Sequence, residues 1–127
     1  MDDQTKNQQS VFNEPDLIQR LMGDTDLEKA VIVAFLSEIP ELILQLKQFV
    51  DAGNIANARL QAHTIRGAAA NLSAGNLRAA AEQIEELCKQ DDLESCKPGI
   101  AVLETEFDRF TNVIGTLGLL HPLKEKA

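Results

Sequence analysis

The sequence predicts an all-α protein, an antiparallel up-down-up-down four-helix bundle with a short additional N-terminal helix. Three observations carry this. Apolar residues recur in alternating steps of three and four along four long segments, the spacing of a helix face that packs on a core. No segment alternates apolar and polar residues with the period of two that a half-buried strand needs. The segments are joined by short stretches rich in Gly, Asn, Asp or Pro, so consecutive helices are neighbours of opposite direction.

The elements follow in order. Residues 1–11 are polar and aperiodic and read as a flexible tail. Asn13 caps a short helix with Pro15 in its first turn. Leu17, Ile18, Leu21 and Met22 form its apolar side, and Gly23 ends it. Asp24 or Thr25 starts a long helix that runs to about Ala52, with a stripe of Ile32, Phe35, Leu36, Ile39, Leu42, Ile43, Leu46, Phe49 and Val50. Pro40 interrupts the hydrogen-bond ladder, but the stripe keeps its phase across it, so one kinked helix is preferred to two. Gly53 closes that helix and Asn54 caps the next. The third long segment, from about Ile55 to Leu72, has the stripe Ile55, Ala58, Ala62, Ile65, Ala69 and Leu72. After the turn 73–76, Leu77, Ala80, Ala81, Ile84, Leu87 and Cys88 mark another helix. Asp91-Asp92 through Pro98-Gly99 reads as a loop. Ile100, Leu103, Phe107, Phe110, Ile114 and Leu117 mark the last helix, and Gly118 stops it. The bundle domain is thus 12–118, with 119–127 a C-terminal tail.

Composition excludes several classes. The chain has 127 residues, one domain's worth. Acids number 20 against 12 bases, a net charge of -8. Nucleic acid and anionic membrane both need a basic surface, so neither is an expected partner. Trp and Tyr are absent, which leaves few platforms for base stacking. Cys88 and Cys96 are the only cysteines. They form no close metal-ligand pair, so no metal is expected. Cys88 falls on an apolar stripe, whereas Cys96 lies near the expected loop. Nothing resembles a targeting segment, and no apolar run reaches about 18 residues. The expected location is cytoplasmic, with reduced thiols.

One histidine stands out. His63 follows Ala62 of the stripe by one position, about 100° around the helix, so it belongs at the edge of the core. Arg66 lies three residues on and Gly67 four, both beside the ring on a helix. Glycine inside a helix costs roughly 0.5–1 kcal/mol relative to alanine, yet its neighbours here are alanines. A cation and a vacant side-chain position beside an imidazole make a seat for a phosphoryl group. Taken alone, the three residues also fit the plainer case of a boundary histidine beside a glycine that lets another helix pack.

The longer run His63-Thr64-Ile65-Arg66-Gly67-Ala68-Ala69-Ala70-Asn71-Leu72 resembles the signature of histidine-containing phosphotransfer (HPt) domains. The likeness extends over about 12–118. Phe12 to Asp24 is similar to that family's opening helix. Phe35, Pro40 and Leu46 fit its second helix, and Ala52-Gly53-Asn54 its turn before the histidine. The pair Ile84-Glu85 is familiar in its next helix. Two departures stand: Arg66 where Lys is commoner, and Ser73 where Gly is common.

The resemblance implies a phosphorelay intermediate of two-component signalling. It would carry a phosphoryl group between receiver-domain aspartates as phosphohistidine. His63 would be the phosphoacceptor. Arg66 would neutralise the phosphoryl oxygens, and Gly67 would leave room for the group and the partner's active site. The chain shows no Gly-rich phosphate loop and no kinase signature, so it is expected to be no enzyme and to bind no ATP. The partners implied are receiver domains of response regulators or of a hybrid sensor kinase, and any Mg²⁺ would sit on the receiver. Ala56 and Ala70 share the His63 edge and are expected, with Arg59, to help dock that partner. Arg59 reads equally as a second cation that helps from the other side of the ring and as a solvated helix-face charge. Glu82, Glu85 and Glu86 read as a solvated face, although a carboxylate there would be able to orient the imidazole through its other nitrogen. The expected state is a monomer. A non-catalytic adaptor that binds a receiver without being phosphorylated stands as the alternative. A dimerising sensor-kinase domain fits less well, because Thr64, not an acid, follows the histidine.

Overall fold

The computed structural model describes residues 8–119. After a helical stretch at 8–11, five helices lie wholly within the described residues: α1 Glu14–Arg20, α2 Thr25–Asp51, α3 Ile55–Asn71, α4 Gly75–Lys89 and α5 Leu93–Thr116. Among the described residues there is no strand. Each long helix packs on two neighbours, α2 on α3 and α5, and α4 on α3 and α5, which makes a four-sided bundle. The stripes expected from the sequence form its core. Ile32, Phe35, Ile39, Leu46, Ala58, Ala62, Ile65, Ala69, Leu77, Ile84, Leu103, Phe110 and Ile114 are all buried there.

Three turns of one design reverse the chain, at residues 52–54, 72–74 and 90–92. The middle residue of each, Gly53, Ser73 or Asp91, adopts a left-handed conformation with φ of 73°, 57° or 63°. The next residue then returns its N–H to a carbonyl five back: Asn54 to Phe49, Ala74 to Ala69 and Asp92 to Leu87, each at 2.9 Å. This closes the end of each helix and aims the chain into the next. Asn54 and Asp92 go on to cap α3 and α5 through Asn57 N and Ser95 N, both at 3.2 Å.

The helix α2 runs unbroken through Pro40, as the constant phase of its stripe requires. Two expectations are corrected. The loop expected over 91–99 is helix from Leu93 onward, with Pro98 inside it. Leu93, Cys96 and Ile100 extend the α5 stripe backward in phase, and the Asp92 cap fixes the start. Gly99 is a contact residue, since a Cβ there would meet Ile84 Cγ1 at 3.2 Å. Cys96 is therefore buried, 3.9 Å from Cys88 Sγ. The second correction is at the N-terminus. Residues 8–11, assigned to the tail, are helical, and Val11 is buried with Phe12. Phe12 meets Phe110 edge to face at 5.4 Å, and Phe110 meets Phe35 at 5.2 Å. At the other end Leu119 is buried, while Leu117 is exposed. His121 lies outside the described residues.

Glu28 is the buried polar residue of α2, and its Oε2 has no hydrogen-bond partner. It lies against Glu14 of α1, and burial together with that neighbour pushes its carboxyl from 4.5 up to about 7. The folded state thus holds this proton more tightly than the unfolded chain does. That contribution is fully present below about pH 4.5 and is lost as pH rises through about 7. Glu28→Gln should flatten thermal stability across this window and raise Tm at pH 8. Burial also pushes the Cys96 thiol up to about 12 and the Cys88 thiol upward. Both thiols should therefore stay unreactive to a disulfide reagent at pH 8 until denaturant is added.

Candidate functional site

The seam between α3 and α4 builds the site. The core face of α3 is Ala58, Ala62, Ile65 and Ala69, mostly small side chains, and α4 meets it with Leu77, Ala80, Ala81 and Ile84. Small residues let the two backbones approach closely. A side chain at the edge of α3 then reaches α4 directly. His63 does so: its Nδ1 is 3.0 Å from Glu85 Oε2. The imidazole is 58% exposed, while the Glu85 side chain is only 8% exposed.

The tautomer decides what the ring donates and accepts there. A carboxylate only accepts hydrogen bonds, and a guanidinium only donates. Nδ1 carries either a hydrogen or a lone pair. If it carried the lone pair, two acceptors would face each other at 3.0 Å in a nearly dry place. With the hydrogen on Nδ1 the ring donates to Glu85, a charge-assisted bond, and the neutral ring keeps its lone pair on Nε2. With the lone pair on Nδ1 the ring would accept from Arg66 Nη2 at 3.1 Å instead.

Arg66 completes the cluster. Its Nη2 lies 3.1 Å from Nδ1 and its Nε 3.3 Å from Glu85 Oε1. The second contact pairs the charges without an aligned hydrogen bond, so the buried Oε1 has no donor. The guanidinium sits at the Nδ1 edge of the ring and balances Glu85.

Gly67 is exposed, and a Cβ built on it would meet nothing within 4 Å. The packing explanation for this glycine is thereby removed, because no helix lies against it. Ala56 and Arg59 join His63, Glu85 and Leu60 around an open pocket of about 440 Å³. Ala70 does not line it. It borders a separate hollow with Asp16 and Ser73 of the α1 junction.

That junction secures the far end of α3. Arg20 of α1 donates to the Ala70 and Asn71 carbonyls at 3.4 and 3.2 Å and also bonds Ser73 Oγ. Cations are favoured at helix C-termini, where carbonyls lack partners. Ser73 Oγ donates to Asp16 Oδ2 at 2.7 Å, which holds the Asp16 carboxyl below its usual range. Ser73 thus keeps the left-handed turn where glycine is common in the resembling family, and these hydroxyl bonds compensate for its Cβ.

Glu85 is the functional residue the sequence reading misplaced, since it is buried and not on a solvated face. Its register was the available signal, four after Ala81 and three before Cys88, both on the core stripe. Glu82 and Glu86 are exposed as expected. Among the described residues no group of His, Cys, Asp and Glu could hold a metal ion. Nor is any helix long and apolar enough to cross a membrane.

Fold and site together define a helical bundle that, among the described residues, displays one exposed imidazole held by a buried carboxylate. The family model of the Hpt domain matches residues 30–113. The chain belongs to the Hpt domain family. Such domains pass phosphoryl groups through a histidine in phosphorelays, without kinase activity of their own, and they engage receiver domains. No curated protein and no solved structure matches the chain.

Gly67→Ala should raise unfolding free energy by roughly 0.5–1 kcal/mol, read from a denaturant melt. A loss of stability would show that position 67 is not open.

Proposed function

We propose that this protein accepts a phosphoryl group on His63 Nε2 from the aspartyl phosphate of one receiver domain and returns it to the aspartate of another. The contact of His63 Nδ1 with Glu85 Oε2 at 3.0 Å, on an imidazole that is otherwise exposed, is the observation that carries this reading. With the hydrogen on Nδ1, the neutral ring keeps its lone pair on Nε2. In transfer the Nε2 lone pair attacks phosphorus, and an N–P bond forms. The bond from phosphorus to the aspartyl oxygen breaks, and the aspartate leaves with the electron pair. The ring gains positive charge as it becomes a phosphoimidazolium. Glu85 accepts from its Nδ1–H and stabilises that charge. Return to a second aspartate runs the same step backward, with the imidazole leaving neutral.

Little covalent machinery is needed. Phosphoryl transfer depends mainly on positioning and on stabilising charge. The bundle supplies a fixed imidazole, a vacant side-chain position at Gly67 and the balancing charge of Arg66. The receiver brings the Mg²⁺ and the phosphoryl donor. The protein needs no ATP site, acts as a monomer and works in the cytosol.

Incubation with a phosphorylated receiver domain should give acid-labile, base-stable label on the protein, and His63→Gln should abolish it. Label that persists in His63→Gln would end the assignment and leave the adaptor reading. Glu85→Gln should slow uptake roughly ten- to hundredfold, the size of one charge-assisted hydrogen bond, without unfolding the bundle.

A further inference from the structure

We propose that Arg59, one helical turn before His63, is the cation that receives the phosphoryl group beside Nε2, while Arg66 acts on the imidazole through Glu85. The proposal rests on His63 being the phosphoacceptor and divides the labour of the two arginines around it.

The charge count at the site motivates it. A phosphoryl group brings about two negative charges. Glu85 is already negative, and Arg66 balances it from 3.3 Å. The Arg66 guanidinium also lies 3.1 Å from Nδ1, on the edge of the ring that faces Glu85. Its charge is therefore compensated before any phosphoryl group arrives.

Arg59 is placed differently. It is exposed and has no ion pair or hydrogen bond among the described residues. The sequence explains why. Ile55, Ala56, Ala62 and His63 occupy the positions three and four residues away on α3, and none is acidic. In a chain of net charge -8, a cation that no acid pairs with among the described residues, and whose charge is felt by the buried Cys88 thiol of α4, is a distinctive placement beside His63. Arg59 also lines the open pocket with His63 and Glu85. An anion entering there meets an uncompensated guanidinium with five donors in a plane, a shape suited to phosphoryl oxygens.

The buried Glu85 Oε1 agrees with this arrangement. It lacks an aligned donor while Arg66 is shared with the ring. If Arg66 moved away to hold the phosphoryl group, that oxygen would lose its nearest positive charge in a place nearly free of water. A second cation lets Arg66 stay.

Phosphoramidate, a small phosphoryl donor, tests the site without a receiver. The unmodified chain should be labelled on His63. Arg59→Gln should slow uptake and shorten the phosphohistidine half-life roughly fivefold or more, as expected for one charge at close range. Arg59→Lys should restore most of both. Arg66→Gln should instead alter the ¹⁵N signature of the imidazole tautomer, which Arg59→Gln should leave as in the unmodified chain. If the unmodified chain is labelled and Arg59→Gln matches it in uptake and half-life, the proposal is overturned and the phosphoacceptor reading stands. A lowered Tm in Arg59→Gln would mark a structural role and also overturn it. Absence of label from both phosphoramidate and a phosphorylated receiver would overturn the two readings together.

Discussion

A carboxylate nearly excluded from water must find a donated proton or a positive charge, and Glu85 finds both on α3. This one requirement orders the site. The alanine face of α3 brings α4 close enough for the contact. The contact holds the Nδ1 edge of the His63 ring against α4. The same carboxylate draws Arg66 in beside the ring. Removing one partner of such a cluster leaves a buried group uncompensated, which costs far more than an exposed pair contributes. The geometry is therefore held by the bundle itself and is in place before any partner binds.

The rest of the fold serves that seam from its two ends. At the lower end Asn54 caps α3 after the Gly53 turn. At the upper end Arg20 and Ser73 close the α3 carbonyls and bind α1 to the bundle. A rigid histidine helix matters because in-line attack tolerates little misplacement. The reactive atom gains its precision from backbone and core, while its outer face stays open for a macromolecular donor.

Much of this was legible in the sequence. The three-four steps of Ile32 through Val50 and of Ala58 through Leu72 fixed the helices and their buried faces. The edge position of His63 followed from its offset by one from Ala62. What escaped had physical causes. Pro98 and Gly99 carry strong turn signals, but a capped helix with Leu93, Cys96 and Ile100 in phase overrides them. A proline in a helix interior costs about 3 kcal/mol, which the Asp92 cap and the buried stripe offset. Glu85 escaped because carboxylates are ordinarily solvated, and its partner lies on another helix, 22 residues away in sequence. Register on the stripe pointed inward, while residue type pointed outward. The aromatic contact of Phe12 with Phe110 joins opposite ends of the chain, a pairing that no local period encodes.

That aromatic contact sets a practical boundary. The span recognisable as an Hpt domain begins at residue 30, well after Phe12, Leu17 and Arg20. A fragment trimmed to 30–113 would uncover Phe110 and leave the end carbonyls of the histidine helix without Arg20. The packed unit among the described residues is therefore longer than the recognisable span, and a fragment that keeps the core intact retains Val11, Phe12, Leu17 and Arg20.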